Sequence, residues 1–318
     1  MANENKPIEN GGTATAHDEP ISVGDDKHPI RRRYELRAKN LLKEYRQLRR
    51  NKVAIAGLYF IWMMIAVAIF APLIAPYDPA SQGVGQNLAP PSLAHPFGTD
   101  HFGRDILSRT IYGARISIAV GFIAVGEALV LGVATGLVAG YVGGKTDAVI
   151  MRIMDAIFAF PVLVLAIGIV AILGASMVNI MLAVGIRYIP VFARVTRGEV
   201  LSIKETEYVE ASRLIGASRR RILFKEILPN TLSPVIVTGT ILVAYAILAE
   251  AGLSFLGLGV QPPRTSWGLM LTEGQTYIRV APWMAIFPGL ALVFTVLAVN
   301  LLGDGLRDIF DPEMRGEA

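Results

Sequence analysis

Three ionisable residues lie inside runs that are otherwise apolar: Glu127, Arg187 and Glu250. A charge in a lipid-embedded helix is costly, so it normally faces a partner or a water-filled path. Each is therefore a candidate for the wall of a transport path or for a structural role, and both a Glu127–Arg187 and a Glu250–Arg187 pairing stay open. Enzyme chemistry is harder to find. His95 and His101 flank Gly98-Thr99-Asp100 on a Gly- and Pro-rich stretch, without the His-Glu-x-x-His spacing of a zinc hydrolase. His17 and His28 stand in a polar segment with no second ligand at metal spacing, so no metal is expected. There is no Gly-x-Ser-x-Gly elbow, and a cysteine count of 0 removes thiol nucleophiles, disulfides and cysteine-ligated metals. The run 139–146 nearly fits a phosphate-binding loop, but Ala139 stands where its first glycine is needed. The run also closes an apolar segment instead of following a strand. No ATP site and no cofactor on this chain are expected.

The elements that must carry these residues follow from hydropathy. The chain has 318 residues, of which 53% are hydrophobic and 18% charged, with a mean hydropathy of +0.49. A water-soluble domain of this size needs more charge to cover its surface, so a lipid-facing surface is the natural explanation. Runs of about 20 apolar residues predict six spanning helices. They cover 53–75, 116–142, 149–173 (with Pro161 inside), 177–192 (short, Arg187 near its end), 232–253 and 283–302. In the second, Gly132, Gly136, Gly140 and Gly144 recur every fourth residue, a face that lets a neighbouring backbone approach closely.

Lysine and arginine set the orientation. The basic segment 31–52 has helical period and reads as an amphipathic helix at the inner membrane surface. Its charge is explained by its place beside a span, so no nucleic-acid partner is expected. The segment 194–228 carries Arg194, Arg197, Lys204, Arg213, Arg219, Arg220, Arg221 and Lys225, whereas 257–282 holds only Arg264 and Arg279. In 77–115, Arg104, Arg109 and Arg115 are matched by Asp78, Asp100 and Asp105. Both termini and 194–228 are thus predicted on the cytoplasmic side, and the other two loops outside.

Within 204–228, Tyr208, Ala211 and Ile215 share one helical face, Gly216 interrupts, and Ser218 can cap a second short helix that Pro229 stops. Two short amphipathic helices with a glycine corner suit docking in a groove of a soluble partner. Glu210-Ala211-Ser212, Gly216 and Ile227-Leu228-Pro229 resemble the EAA signature of ABC-importer permeases, with Ser212 where a third alanine often stands. The segment 95–117, Ala249-Glu250-Ala251, the run 254–259, Ser266-Trp267-Gly268, the run 303–308 and Asp311-Pro312 complete the match. As a set they are similar to the second permease subunit of the dipeptide/oligopeptide (peptide/nickel) importers, over about 48–315. Glu127 and Arg187 stand where that family would be expected to have uncharged residues.

The resemblance implies an all-α integral membrane fold, about six transmembrane helices of the type I ABC-importer permease kind with a cytoplasmic coupling loop. On this reading, 1–30 is a disordered cytoplasmic tail, 53–310 the permease domain and 311–318 a second cytoplasmic tail. Glu210 and Ala211 would begin the docking helix, Gly216 would turn it, and Leu228-Pro229 would lead into the fifth span. Implied partners are a homologous permease, two ABC ATPases that hold the ATP and magnesium, an extracytoplasmic peptide-binding protein, and the lipid bilayer. The chain itself would be no enzyme, and it would sit in the cytoplasmic membrane of a bacterium or archaeon. Dipeptides, longer peptides, nickel chelates, glutathione and antimicrobial peptides all remain open as cargo.

Overall fold

The structure, a computed structural model, describes residues 51–310, all within one compact unit, Arg46–Ala318. The expected tails 1–30 and 311–318, with nearly all of the amphipathic segment 31–52, lie outside the described residues. Among the described residues the secondary structure is helical, with a single isolated bridge between Thr99 and Asp105. Five helical stretches are long and apolar enough to cross a membrane, and a bent pair makes a sixth when counted as one span.

Asn51 starts helix α1, Lys52–Ile69, by accepting hydrogen bonds from the Val53 and Ala54 amides at 3.2 and 3.1 Å. Helix α2, Ile106–Val142, is 37 residues long and begins ten residues before the expected 116. Asp105 caps it by accepting from the Ser108 amide. Its first turns carry Ser108, Arg109 and Thr110, which read as loop residues in the sequence. They are buried under other parts of the protein, not in lipid.

The third expected span is broken. Helices α3, Gly144–Phe158, and α4, Val162–Leu173, meet at 89° across Pro161, whose ring and missing N–H prevent a continuous helix. Helix α5, Met177–Ile203, is not the short span predicted: it runs for 27 residues with Pro190 inside. Residues 194–203, read as loop because of their charge, continue the helix: Thr196 and Val200 are buried against Gly136 and Gly140 of α2, and α3 neutralises the two arginines. Arg194 pairs with Asp155 at 2.8 Å, and Arg197 holds both oxygens of Asp147 at 2.6 Å. Helices α6, Glu207–Leu214, α7, Leu228–Phe255, α8, Trp267–Thr276, and α9, Trp283–Phe310, complete the fold.

The centre of the packing is α2 against α5. A methyl group added at Gly136 would meet the Ala193 carbonyl at 2.5 Å and the Thr196 Cβ at 2.8 Å. One at Gly132 would meet the Ile189 carbonyl at 2.7 Å, and one at Gly140 the Val200 Cβ at 2.8 Å. Gly144 lies outside this seam, in the first turn of α3, with nothing within 4 Å. Helix α9 packs along α1 and α7, with Gly57 against the Ala298 carbonyl. Asn51 and Asp308 join the start of α1 to the end of α9 at 3.2 Å.

The seam predicts an asymmetry between glycines of one helix. Gly136→Leu should force α2 and α5 apart and cost about 1–3 kcal/mol, read as a lower thermal unfolding midpoint in detergent. Gly126→Leu, at a position with open space around it, should leave the midpoint unchanged.

Candidate coupling hairpin and crown

The two ends of the molecule differ in construction. At the end where α2 and α5 finish, residues 204–230 form a hairpin. Helix α6 has Glu207 and Glu210 in its first turn and Arg213 in its last, complementing the helix dipole. It closes on Gly216, whose φ of +78° lies in the left-handed region. The Ala217 amide donates to the Ser212 carbonyl and the Gly216 amide to the Arg213 carbonyl, both at 3.0 Å, which satisfies the last carbonyls of α6. Glu210 and Ala211 face solvent, Ser212 is half-buried, and Val209 is fully buried beneath them.

After Gly216 the structure corrects the expectation of a second, separate helix. Ser218 does cap a short turn, Arg219–Arg221. It widens into a π-helical turn, Ile222–Ile227, and runs straight into α7. Pro229 does not stop it. The wide turn makes room for the proline ring, and Leu228 bonds back to the Leu223 carbonyl. Ile222 and Ile227 anchor the turn in the core, while Leu228 and Pro229 are half-buried. Asn230 latches the hairpin, donating to the Tyr208 hydroxyl at 3.2 Å and the Glu226 carbonyl at 2.6 Å. With Tyr208 held, the most exposed apolar side chains of the hairpin are Leu214 and Ile215 at its tip, 83% and 80% exposed.

Neither arginine pairing considered from sequence forms. Glu127 packs against Gly185, and its Oε1 has no hydrogen-bond partner. A helix that offers Gly185 to Glu127 turns Arg187, two residues on, to its other side. There Arg187 Nε donates to the Phe160 carbonyl at 3.0 Å, and its guanidinium lies 4.1 Å from the centre of the Phe158 ring. Arg194 lies over the same ring at 4.3 Å. Both arginines thus brace the break between α3 and α4. Glu250 is fully buried and accepts from the Ser254 and Ser117 hydroxyls at 2.8 and 3.2 Å. Ser117 in turn accepts from the Trp267 amide, so Glu250 ties α7 to α2 and to the start of α8.

At the opposite end, the segments 77–105 and 257–283 fold into a crown over the start of α2. Asp100 Oδ2 accepts from Arg104 Nε at 2.6 Å and Arg109 Nη1 at 2.5 Å. Glu273, on α8, closes the cluster on Arg109 at 2.7 Å and Arg104 at 3.2 Å. Two acids thus balance two bases. Burial alone would raise the Asp100 carboxyl. Arg109, the amides of Arg104 and Phe102, and the Arg104 charge outweigh it and hold the carboxyl below its ordinary 3.8. His95 Nδ1 bonds Asp105 at 3.0 Å, and His101 stacks on Tyr277. Among the described residues no group of three His, Asp or Glu could hold a metal.

Sequence reasoning missed Glu273, Asn230 and the carboxylates that answer Arg194 and Arg197. Their side-chain partners lie 22 or more residues away, and only the four-residue charge spacing of Asp100 and Arg104 offered any local signal.

Comparisons with known proteins agree with this architecture. The family described as binding-protein-dependent transport system inner membrane component matches residues 132–316. The N-terminal TM domain of oligopeptide transport permease C matches residues 42–91. The dipeptide transport system permease protein DppC of Alkalihalophilus pseudofirmus is 44% identical over 301 residues, 95% of this chain and 99% of the relative. The di/tripeptide transport system permease protein DppC of Pseudomonas aeruginosa is 44% identical, covering 87% of this chain and 94% of its own. The glutathione transport system permease protein GsiD of Shigella boydii is 48% identical, with 86% and 90% covered. A chain of the MetNI methionine ABC transporter, solved in inward-facing conformations, superposes with a TM-score of 0.54 at 19% identity, covering 65% of this chain and 98% of that one.

The ion cluster predicts a specific fragility. Asp100→Asn should leave two buried guanidinium groups to share the single Glu273 carboxylate, one positive charge in excess, and cost about 3–5 kcal/mol, read as a lower unfolding midpoint in detergent. Because its pKa is depressed in the folded state, Asp100 stabilises the fold fully above about pH 4 and loses that effect as pH falls further. The wild-type midpoint should therefore fall more steeply than that of the variant on acidification below pH 4.

Proposed function

The chain belongs to the family of binding-protein-dependent transport system inner membrane components, and we propose that it is a permease subunit of an ATP-driven importer of short peptides. Membership makes it a multi-pass membrane permease, not an enzyme, and implies partners that hydrolyse ATP. It contributes one half of the translocation path, and a homologous permease contributes the other. Two ATPase subunits, which hold the ATP and magnesium, sit against the hairpin. An extracytoplasmic binding protein delivers cargo to the crown. Both termini and the hairpin are cytoplasmic, in keeping with the lysine and arginine of 194–228. A short peptide is the cargo chemistry common to the relatives described for dipeptides, di/tripeptides and glutathione.

The observation that carries the coupling role is the construction of the hairpin. Its base is latched by Asn230 and anchored by Val209, Ile222 and Ile227, while Leu214 and Ile215 stand uncovered at the tip. An apolar tip on a rigid base fits a groove in a soluble partner. The hairpin continues through the π-helical turn into α7, so a displacement at the tip moves the whole helix. Farther along α7, Glu250 holds Ser117 of α2 and, through it, the start of α8. Closure of the ATPases would thereby tilt the spans and reach the crown. Energy enters at the partner, and this chain converts it into a change of conformation.

Gly216 gives the test. A β-branched side chain in the left-handed region costs roughly 1–2 kcal/mol locally but meets no neighbour, so Gly216→Val should fold. In reconstituted transporter it should lower ATP-driven uptake of a labelled dipeptide by about tenfold or more, a barrier change near 1.4 kcal/mol, while ATP hydrolysis persists. Uptake equal to wild type would contradict the coupling role of the corner.

A further inference from the structure

We propose that the hollow between the hairpin and the end of α2 binds the phosphate headgroup of an anionic lipid from the leaflet on the hairpin side. The hollow has a volume of about 570 Å³, and Tyr141, Val142, Arg213, Arg219, Arg220 and Leu223 are among the residues lining it. Gly216 creates it: by turning the chain back it brings Arg213, on α6, to the same space as Arg219 and Arg220 on the returning arm. No carboxylate lines the space.

Four arginines elsewhere in the described residues are answered by carboxylates. Arg104 and Arg109 are answered by Asp100 and Glu273, Arg194 by Asp155, and Arg197 by Asp147. Arg213, Arg219 and Arg220 have no ion pair among the described residues. Three guanidinium groups around one concave space repel each other until a counter-anion enters. A phosphate, with several acceptor oxygens, matches their planar donor arrays better than a single carboxylate. The sidedness of lysine and arginine accounts for the sign of these charges but not for their convergence on one hollow.

The walls select a lipid over a soluble phosphate. Leu223 and Ile222 give the hollow an apolar side, and Tyr141 stands at the end of a spanning helix, where aromatic residues meet headgroups. From Val142 the exposed surface of α2 continues to Val138 one turn away, an apolar strip leading from the arginines toward the middle of the span. An acyl chain can lie along that strip while its phosphate is held at the top. The docking tip, Leu214 and Ile215, is not part of the hollow, so lipid and ATPase use separate surfaces. A bound lipid would tie both arms of the hairpin to α2.

The inference rests on the proposed membrane orientation and is tested apart from it. The assembled transporter is placed in phosphatidylcholine vesicles doped with phosphatidylglycerol, extracted, and weighed by native mass spectrometry. Arg219→Gln with Arg220→Gln should reduce retained phosphatidylglycerol roughly 10- to 30-fold while the ATPase subunits stay bound. Leu214→Ala with Ile215→Ala should do the reverse, and a variant that kept its ATPases would count against the docking role alone. Undiminished phosphatidylglycerol in the arginine double variant would overturn the lipid site. Loss of the ATPases from that variant with lipid retained would overturn it too, assigning the arginines to a protein partner. Displacement of the signal by inorganic phosphate alone would assign the hollow to a soluble anion.

Discussion

Along Gly132, Gly136 and Gly140 the backbones of α2 and α5 lie so close that one added methyl group has no room. Lipid tails are as apolar as leucine, so spanning helices gain little from hiding apolar surface from one another. They gain from close contact over a long seam. The other elements take their places from this pair. Helix α5, set against α2, presents Arg194 and Arg197 to the carboxylates of α3, and Arg187 reaches the carbonyl left at the break before α4. Helix α7 packs against both, and α9 and α1 close the outer side.

The ends of the bundle use polar groups in opposite ways. In the crown, charges are drawn out of water and neutralised in place: Asp100, Arg104, Arg109 and Glu273 fix a loop, the start of α2 and α8 in one arrangement. Such a network is rigid because removing any member leaves an unpaired charge in a poorly solvated site. In the hairpin the main chain is locked by the turn at Gly216 and the latch of Asn230, but the charges and the apolar tip stay exposed. One end is built to hold its shape, and the other to be gripped. Glu250, midway in that chain of contacts, links the gripped helix to the rigid crown through Ser117.

Much of this was legible in the sequence, and the misreadings share a cause. The apolar runs placed the spans, and the glycine spacing marked the close face of α2. Gly216 identified the corner because few other residues tolerate the left-handed conformation. Boundaries failed where polar residues were helical: 106–115 lies beneath the crown, and 194–203 is neutralised by α3. Local hydropathy cannot see a partner fifty or more residues away, so Asp147 and Glu273 gave no signal, and Asn230 gave none because its latch to Tyr208 spans 22 residues across the hairpin. Pro229 was read as a stop because a proline ends an ordinary helix, and the π-helical turn before it is what admits it. Glu127 and Arg187 were marked as costly charges. Both lie on helices long and apolar enough to span, and which side of its helix each faces is set by packing.

The central claim is that this chain is driven through the tip of its hairpin. The sequence contains no cysteine, so one introduced as Leu214→Cys is unique. In membranes carrying the assembled transporter, a short thiol-to-amine cross-linker should join that position to an ATP-hydrolysing subunit. The same reagent on Leu93→Cys, in the crown, should not. Failure of the tip to capture an ATPase in a complex that still transports would contradict the account.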